Sequence, residues 1–350
     1  MPMTAATLLP GVVLRHGRYS VRLQPRLLLV CALLLLAICA CSLLLLATGR
    51  LPLAPGEVLR ALAGQEQADA IAHRVVWQIR LPRIVTALSA GAALGISGAI
   101  FQSVSRNALG SPDVIGFTTG AATGALVQII VFGQQQPLAV ALAAVLAGLL
   151  TALAVYLLAW QTGAVASYRL VLIGIGVGAL LGAVNGLLLV KGGLDQAVQA
   201  NLWLAGSLDA RTWAHALPVA LGTLVLTPLV LCAARPLHLL EMGDDLARQL
   251  GVVAERTRLQ MSACAVALAA LATGAAGPIA FIALAAPQLT LRATGASRLP
   301  VVSAALMGAL LLVLADLLVQ HLPIAMAVPI GRVTGILGGL YLAWLLGRRR

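Results

Sequence analysis

Long apolar runs, broken by short polar stretches, repeat along the whole chain from Leu27 onward. A helix needs about 20 mostly apolar residues to cross the hydrocarbon core of a bilayer, and such a helix satisfies its own backbone donors and acceptors where no water is present. The runs predict spans at about 27–48, 82–103, 114–132, 138–160, 170–190, 213–233, 259–273, 301–320 and 330–346, with a shorter helix at 279–290. The fold class is therefore all-α, a polytopic transmembrane bundle of about ten helices. Residues 1–26 read as a flexible basic cytoplasmic tail, 27–347 as a single transmembrane domain, and 348–350 as a basic cytoplasmic end. A short helical pattern is also expected at 57–63, and the break at 274–278 separates the seventh helix from the eighth.

The pattern is interrupted most clearly at 234–258, a polar island between two spans. Within it, Gly243-Asp244-Asp245-Leu246-Ala247-Arg248-Gln249-Leu250-Gly251 has the marks of a short, self-capped helix. Asp244 and Asp245 sit where carboxylates cap N–H groups and meet the positive end of the helix dipole, and Arg248 lies toward the other end. Gly251 is placed for a left-handed C-terminal cap. Leu246 and Leu250, four apart, share a face. One reading makes this helix a handle that docks into a groove on a partner; the other leaves it a solvated loop helix that touches nothing.

Composition narrows the class without changing it. The chain is 61% hydrophobic and 10% charged, with a mean hydropathy of +1.00. Its 35 glycines, with abundant Ala, suit helices that approach closely. The net charge of +12 does not point to nucleic acid, because the basic residues lie at the ends of apolar runs. With both termini and the island in the cytoplasm, 15 of the 23 Lys and Arg residues fall inside and eight outside. The first apolar run is longer than a signal-peptide core and reads as a membrane helix. The five cysteines lie in or beside apolar runs with no metal or disulfide spacing, and read as packing residues.

No enzyme constellation stands out. The five His are scattered, with no pair spaced for a metal on one helix face. A phosphate-binding loop needs Gly-Lys-Ser/Thr, yet the one Lys, Lys191, is followed by Gly192. If ATP drives this protein, another chain hydrolyses it. Polar residues at membrane depth require partners or a function. Gln102, Gln128 and Asn185 are candidates for a polar translocation path, with interhelical hydrogen bonding the competing reading; Gln288 and Asp316 join them, and for Asp316 an Arg or backbone partner is favoured. Arg80 and Arg83 flank Pro82 at the outer end of the second span, either as headgroup anchors or as cations offered to an acidic partner or ligand outside.

With these residues in view, the chain resembles the FecCD family of ABC-importer permeases. The likeness is carried by Arg80-Leu81-Pro82-Arg83, the stretch 91–102, Arg106-Asn107-Ala108-Leu109-Gly110-Ser111-Pro112-Asp113, the 243–251 helix, Ala276-Gly277-Pro278-Ile279 and Val328-Pro329-Ile330-Gly331, in that order. Ser97-Gly98-Ala99-Ile100-Phe101-Gln102-Ser103, residues 110–117 and Leu240-Glu241-Met242-Gly243-Asp244-Asp245 make it most similar to the ferric-enterobactin branch. The resemblance implies a type II importer permease in the inner membrane. Such a subunit pairs with a second permease, here expected to be a different chain, and with two copies of an ATPase subunit. A periplasmic binding protein would deliver a ferric siderophore, expected to be a catecholate complex. The permease itself would need no cofactor or metal, ATP and Mg being bound by the ATPase. Residues Gly243, Asp244, Asp245, Leu246, Ala247, Arg248, Leu250 and Gly251 would form the helix that couples to the ATPase. Arg80 and Arg83 would pair with carboxylates of the binding protein. The chain departs from the family in Asn107-Ala108 for Asn-Pro, in Pro287-Gln288 for Pro-His, and in Gln320 where an outward Arg is common, a loss for which Arg332 is a substitute. The alternatives are a cargo of haem, vitamin B12 or a hydroxamate siderophore, or an ion-coupled secondary transporter.

Overall fold

The computed structural model describes residues 12–16, 19–49, 51–64, 70–161, 164–165, 167–296, 300–322 and 328–347. The basic end at 348–350 and the first 11 residues of the expected tail lie outside them. Within that expected tail, β1 (Val12–His16) and β2 (Tyr19–Leu23) pair as an antiparallel hairpin, Val12 opposite Leu23.

The remainder is almost wholly helical. In chain order the helices are α1 (Pro25–Ala47), α2 (Pro55–Leu62), α3 (Ala70–Arg74), α4 (Leu81–Ser105), α5 (Phe117–Leu126), α6 (Pro137–Ala159), α7 (Ser167–Lys191), α8 (Leu194–Leu204), α9 (Trp213–Cys232), α10 (Ala234–Glu241), α11 (Asp244–Gln249), α12 (Ala254–Ala276), α13 (Ile282–Thr294), α14 (Val301–His321) and α15 (Ile330–Gly347). A two-residue strand pair, β3 (Trp160–Gln161) with β4 (Ala164–Val165), joins α6 to α7. All ten expected helices have a counterpart. Among the described residues, seven helical runs are long and apolar enough to cross a membrane, and Phe117–Val131 is a shorter apolar one.

Three local departures have physical causes. The second span begins at Ala70, not at residue 82, and runs unbroken to Ser105. Pro82 inside a helix lacks an N–H and crowds the preceding turn. The wider turns of Val75–Arg80 take up that strain, with Leu81 N–H reaching back five residues to Val76 O. The third span is likewise composite, a 3-10 turn at Pro112–Ile115, then α5, then wide turns at Val127–Val131. The polar island is two helices, α10 and α11, where one was expected.

α4 is the axis of the bundle, packed against α9, α12, α13 and α14. Its small residues explain how. Gly91 lies on the backbone of Gly308, Gly95 on Ala304 O, and Gly98 on Ala283 O, where an added Cβ would sit 1.7 Å from that oxygen. Backbones this close gain van der Waals contact that lipid cannot supply. Ser97 Oγ, also buried, donates to Ala265 O at 2.7 Å, tying α4 to α12.

The break after α12 is a second crossing point. Ser207 N–H donates to Ala276 O at 2.9 Å and Gly331 N–H to Gly206 O at 3.4 Å. Gly206 and Gly331 both lie against Pro278 O, so neither position has room for a side chain. The motifs Ala276-Gly277-Pro278-Ile279 and Val328-Pro329-Ile330-Gly331 thus meet at one crossing with the loop that follows α8.

Candidate coupling and docking sites

The island helix α11 is anchored on one side and bare on the other. Gly243 (φ 114°) starts it in a conformation closed to ordinary side chains. The end is a Schellman cap: Gly251 N–H donates to Arg248 O and Val252 N–H to Ala247 O, both at 3.0 Å, with Gly251 at φ 82°. Ala247 is fully buried against Leu240 and Ala254. Leu246 (40% exposed) and Leu250 (57% exposed) face away from that contact, together with Met242 and Val253.

The acidic pair does not cap the helix as expected. Neither side chain bonds the first-turn N–H groups, and the two carboxylates part company. Asp245 is solvated and meets Arg248 at 3.4 Å. Asp244 turns back to Arg258 of α12, accepting from Nη2 at 3.0 and 2.9 Å, and lies 3.5 Å from Arg106 at the end of α4. Burial favours the neutral acid at Asp244, but the hydrogen bonds and charge of Arg258, with Arg106 and Arg248, outweigh it and hold its pKa below the usual carboxylate value. Arg258 is 4% exposed and also donates to Glu255 at 2.7 Å. A third tie joins Ser103 Oγ of α4 to Glu241 of α10 at 2.5 Å. Ser103, Glu241 and Arg258 were not legible as site residues. The one available signal was Arg258, a cation at the border between the polar island and the span predicted at 259–273.

At the opposite end of α4 the three expected docking cations are placed differently. Arg80 is buried and donates to the carbonyls of Leu46 and Leu51, closing the end of α1, so it does not face outward as expected. The Leu46 carbonyl, in the last turn of α1, lacks an intrahelical donor and suits a guanidinium, and the Leu51 carbonyl lies in the loop beyond it. Arg83 is shared. Its Nε lies 3.1 Å from both oxygens of Asp316, its Nη2 2.6 Å from Oδ1, and its Nη1 2.6 Å from Asp209. Asp316 therefore has the Arg partner favoured for it, and it also accepts from Gln320 at 3.1 Å. Arg332, in the first turn of α15, is exposed.

The expected path residues enter separate contacts. Gln102 is buried, donating to Leu284 O at 3.0 Å and accepting from Gln288 at 2.6 Å across the α4–α13 seam. Asn185 of α7 donates to Thr119 O at 3.3 Å, while its Oδ1 is buried without a partner. Gln128 is half-buried in the wide turns after α5. For Gln102 the structure supplies the interhelical bonds that compete with a path role.

Comparison with known proteins agrees with this architecture. The model of the FecCD transport family matches residues 33–348. The ferric enterobactin transport system permease protein FepG of Escherichia coli is 48% identical over 92% of this chain and 96% of its own length. The hemin transport system permease protein HmuU of Yersinia pestis is 35% identical over 94% of this chain and 98% of its own. A metal-chelate-type ABC transporter solved in an inward-facing conformation superposes with a TM-score of 0.79 at 27% identity, over 91% of this chain and 99% of that one. Both its helical framework and its sequence along nearly the whole length place this multi-pass membrane protein in the FecCD transport family.

Proposed function

We infer that the chain is the permease subunit of an ATP-driven ferric-siderophore importer of the inner membrane, with an iron–catecholate complex of the enterobactin kind as cargo. It performs no bond chemistry; ATP is hydrolysed on a separate ATPase subunit, which also holds the Mg ion. One observation carries the mechanism: α11 is held to α12 by the part-buried Asp244–Arg258 pair, and the adjoining α10 to α4 by the Ser103–Glu241 bond, while Leu246 and Leu250 stay exposed at a surface that suits a partner. A helix fixed on one side and apolar on the other transmits displacement when a partner grips it. The cargo assignment rests on the 48% likeness to FepG.

In this reading both termini and the island face the cytoplasm. A second permease subunit, expected to be a different chain, lines the path opposite this one, and two ATPase copies grip the paired island helices. A periplasmic binding protein docks on the outer face, where Arg83 and Arg332 are the available cations of the three expected. Gln128 and Asn185, the latter with a free buried acceptor, remain the candidates for the path.

The test is uptake of radiolabelled ferric enterobactin by cells carrying this system, against haem, vitamin B12 and a ferric hydroxamate. Enterobactin-dependent uptake lost on deletion of this chain, and lost again with Leu246→Asp while the subunit still assembles in the membrane, is the expected result. Unchanged ferric-enterobactin uptake on deletion refutes the cargo. Unchanged uptake with Leu246→Asp refutes the coupling role of α11.

A further inference from the structure

At the outer end of α4 one guanidinium serves two carboxylates in very different settings. Asp316, on α14, is fully buried and takes two nitrogens of Arg83 along with Gln320. It fixes the plane of the guanidinium. Asp209, in the loop between α8 and α9, takes the remaining nitrogen, Nη1, at 2.6 Å, and 48% of its side chain is in solvent. The Asp209 loop does not depend on that bond. Asp209 N–H donates to Ser207 Oγ at 3.0 Å, Arg211 Nε to Ser207 O at 3.0 Å, and Ser207 N–H to Ala276 O at 2.9 Å. The carboxylate of Asp209 can therefore leave Arg83 while its backbone stays in place, and Asp316 keeps Nη1 aimed outward. Arg211 is near enough for its charge to interact with Asp209, so a displaced carboxylate has a second cation beside it.

We propose that Asp209 is a place-holder on Arg83, occupying the seat that a carboxylate of the delivering binding protein takes on docking. The proposal rests on the reading that such a protein docks on this face. The seat already holds a carboxylate, which is the chemistry it selects. Exchanging one partly exposed ion pair for another adds little affinity, and it fixes register and penalises partners whose carboxylate is misplaced. Until the exchange, the negative charge of Asp209 screens Arg83 from the approaching protein and slows capture.

The test uses the whole importer, reconstituted in lipid nanodiscs with its partner permease and ATPase. Binding of the purified binding protein of the same system is followed by surface kinetics on the wild type, Asp209→Asn and Asp209→Ser. Removing the place-holder should raise the association rate and tighten Kd by a factor of about two to five, the range a partly exposed ion pair gives, and the gain should shrink with added salt. Unchanged or weaker binding by both variants, with the wild type still binding, overturns the exchange and leaves docking intact. No binding by wild type or variants overturns docking itself and the exchange with it. A third arm adds free ferric enterobactin without the binding protein. A gain for the free complex, with none for the protein, assigns the seat to the anionic cargo and overturns the proposal.

Discussion

Replacing Asp244 by Asn separates the anchor of α11 from its apolar face, because the side chain points away from Leu246 and Leu250 and into the bundle. Asp244 supplies two charge-assisted bonds to Arg258, at 3.0 and 2.9 Å, and a weaker contact to Arg106 at 3.5 Å. Asn is isosteric and keeps one acceptor oxygen, so one bond to Arg258 survives as a neutral–charged bond. Losing the second bond and the charge costs about 1–3 kcal/mol, the scale of a hydrogen bond to a charged group in a partly buried site. The Arg106 contact, between two partly exposed groups, adds less than about 1 kcal/mol. Arg258, 4% exposed, is then left with Glu255 as its one carboxylate, which is why the effect belongs at the upper part of that range. The expected outcome is a lower melting temperature of the purified importer and a drop in transport per ATP hydrolysed, with the ATPase still bound. Asp244→Glu, which restores the charge, should recover part of both. The pair of assays is thermal unfolding in detergent and vesicle uptake normalised to ATP turnover. Wild-type melting and wild-type coupling in Asp244→Asn together would show that the ties to α12 neither hold α11 nor transmit through it.

Three further outcomes follow from the same geometry. Coupled to pH, the Asp244 anchor has a definite sign: its folded pKa lies below the ordinary value, so its stabilisation is present above about pH 4 and is lost as pH falls through the folded value. The melting difference between wild type and Asp244→Asn should accordingly be flat from neutral pH to roughly pH 5 and close in more acid buffer. Gly98→Val should destabilise the α4–α13 seam by about 3 kcal/mol or more, since the first added carbon already meets the Ala283 carbonyl at 1.7 Å and neither backbone can yield; loss of folded protein in the membrane fraction checks this. Asp316→Ala leaves Arg83 without its buried partner and should cost about 3–5 kcal/mol, read as a collapse of thermal stability, whereas Asp316→Asn should lose less.

How much of this was legible in the sequence differs between the membrane spans and the sites. The spans were legible because their signal is local: a run long enough to cross hydrocarbon has few other fates. α3 and α8 were not, being too short and too polar to register against that length. The wide turns at Val75–Arg80 were not either, since Pro82 reads equally well as a first-turn residue. In the island, the exposed face was legible from the spacing of Leu246 and Leu250, and the C-terminal cap from Gly251. The anchor was hidden because its members are far apart in sequence. Ser103 and Glu241 are separated by 138 residues, and Asp244 chose Arg258, 14 residues on, over the N–H groups beside it. The motif Arg80-Leu81-Pro82-Arg83 shows the limit most clearly. Two cations three residues apart look alike in sequence, yet one is spent on carbonyls of α1 and the other is divided between a buried and an exposed carboxylate.

These placements put α4 between the two ends at which the proposed partners act. From Arg83 to Ser103 the helix rises about 30 Å, at 1.5 Å per residue. Its Arg83 end is tied to α14 and to the Asp209 loop, and its Ser103 end to α10 and α11 through Ser103 and Arg106. Between them, Gly91, Gly95 and Gly98 bring neighbouring backbones into contact, so α4 cannot bend toward α13 or α14 without a clash. A rod with rigid sides and polar ties at its tips transmits tilt or translation better than it absorbs it. Motion imposed at α11 therefore has a mechanical route to the Arg83 end that needs no chain of side-chain rearrangements through the bundle. The same route implies that the proposed docking at the Arg83 end and the proposed ATPase engagement at α11 bias one shared element. Each should then alter the affinity of the other by the same factor, as linkage between binding equilibria requires.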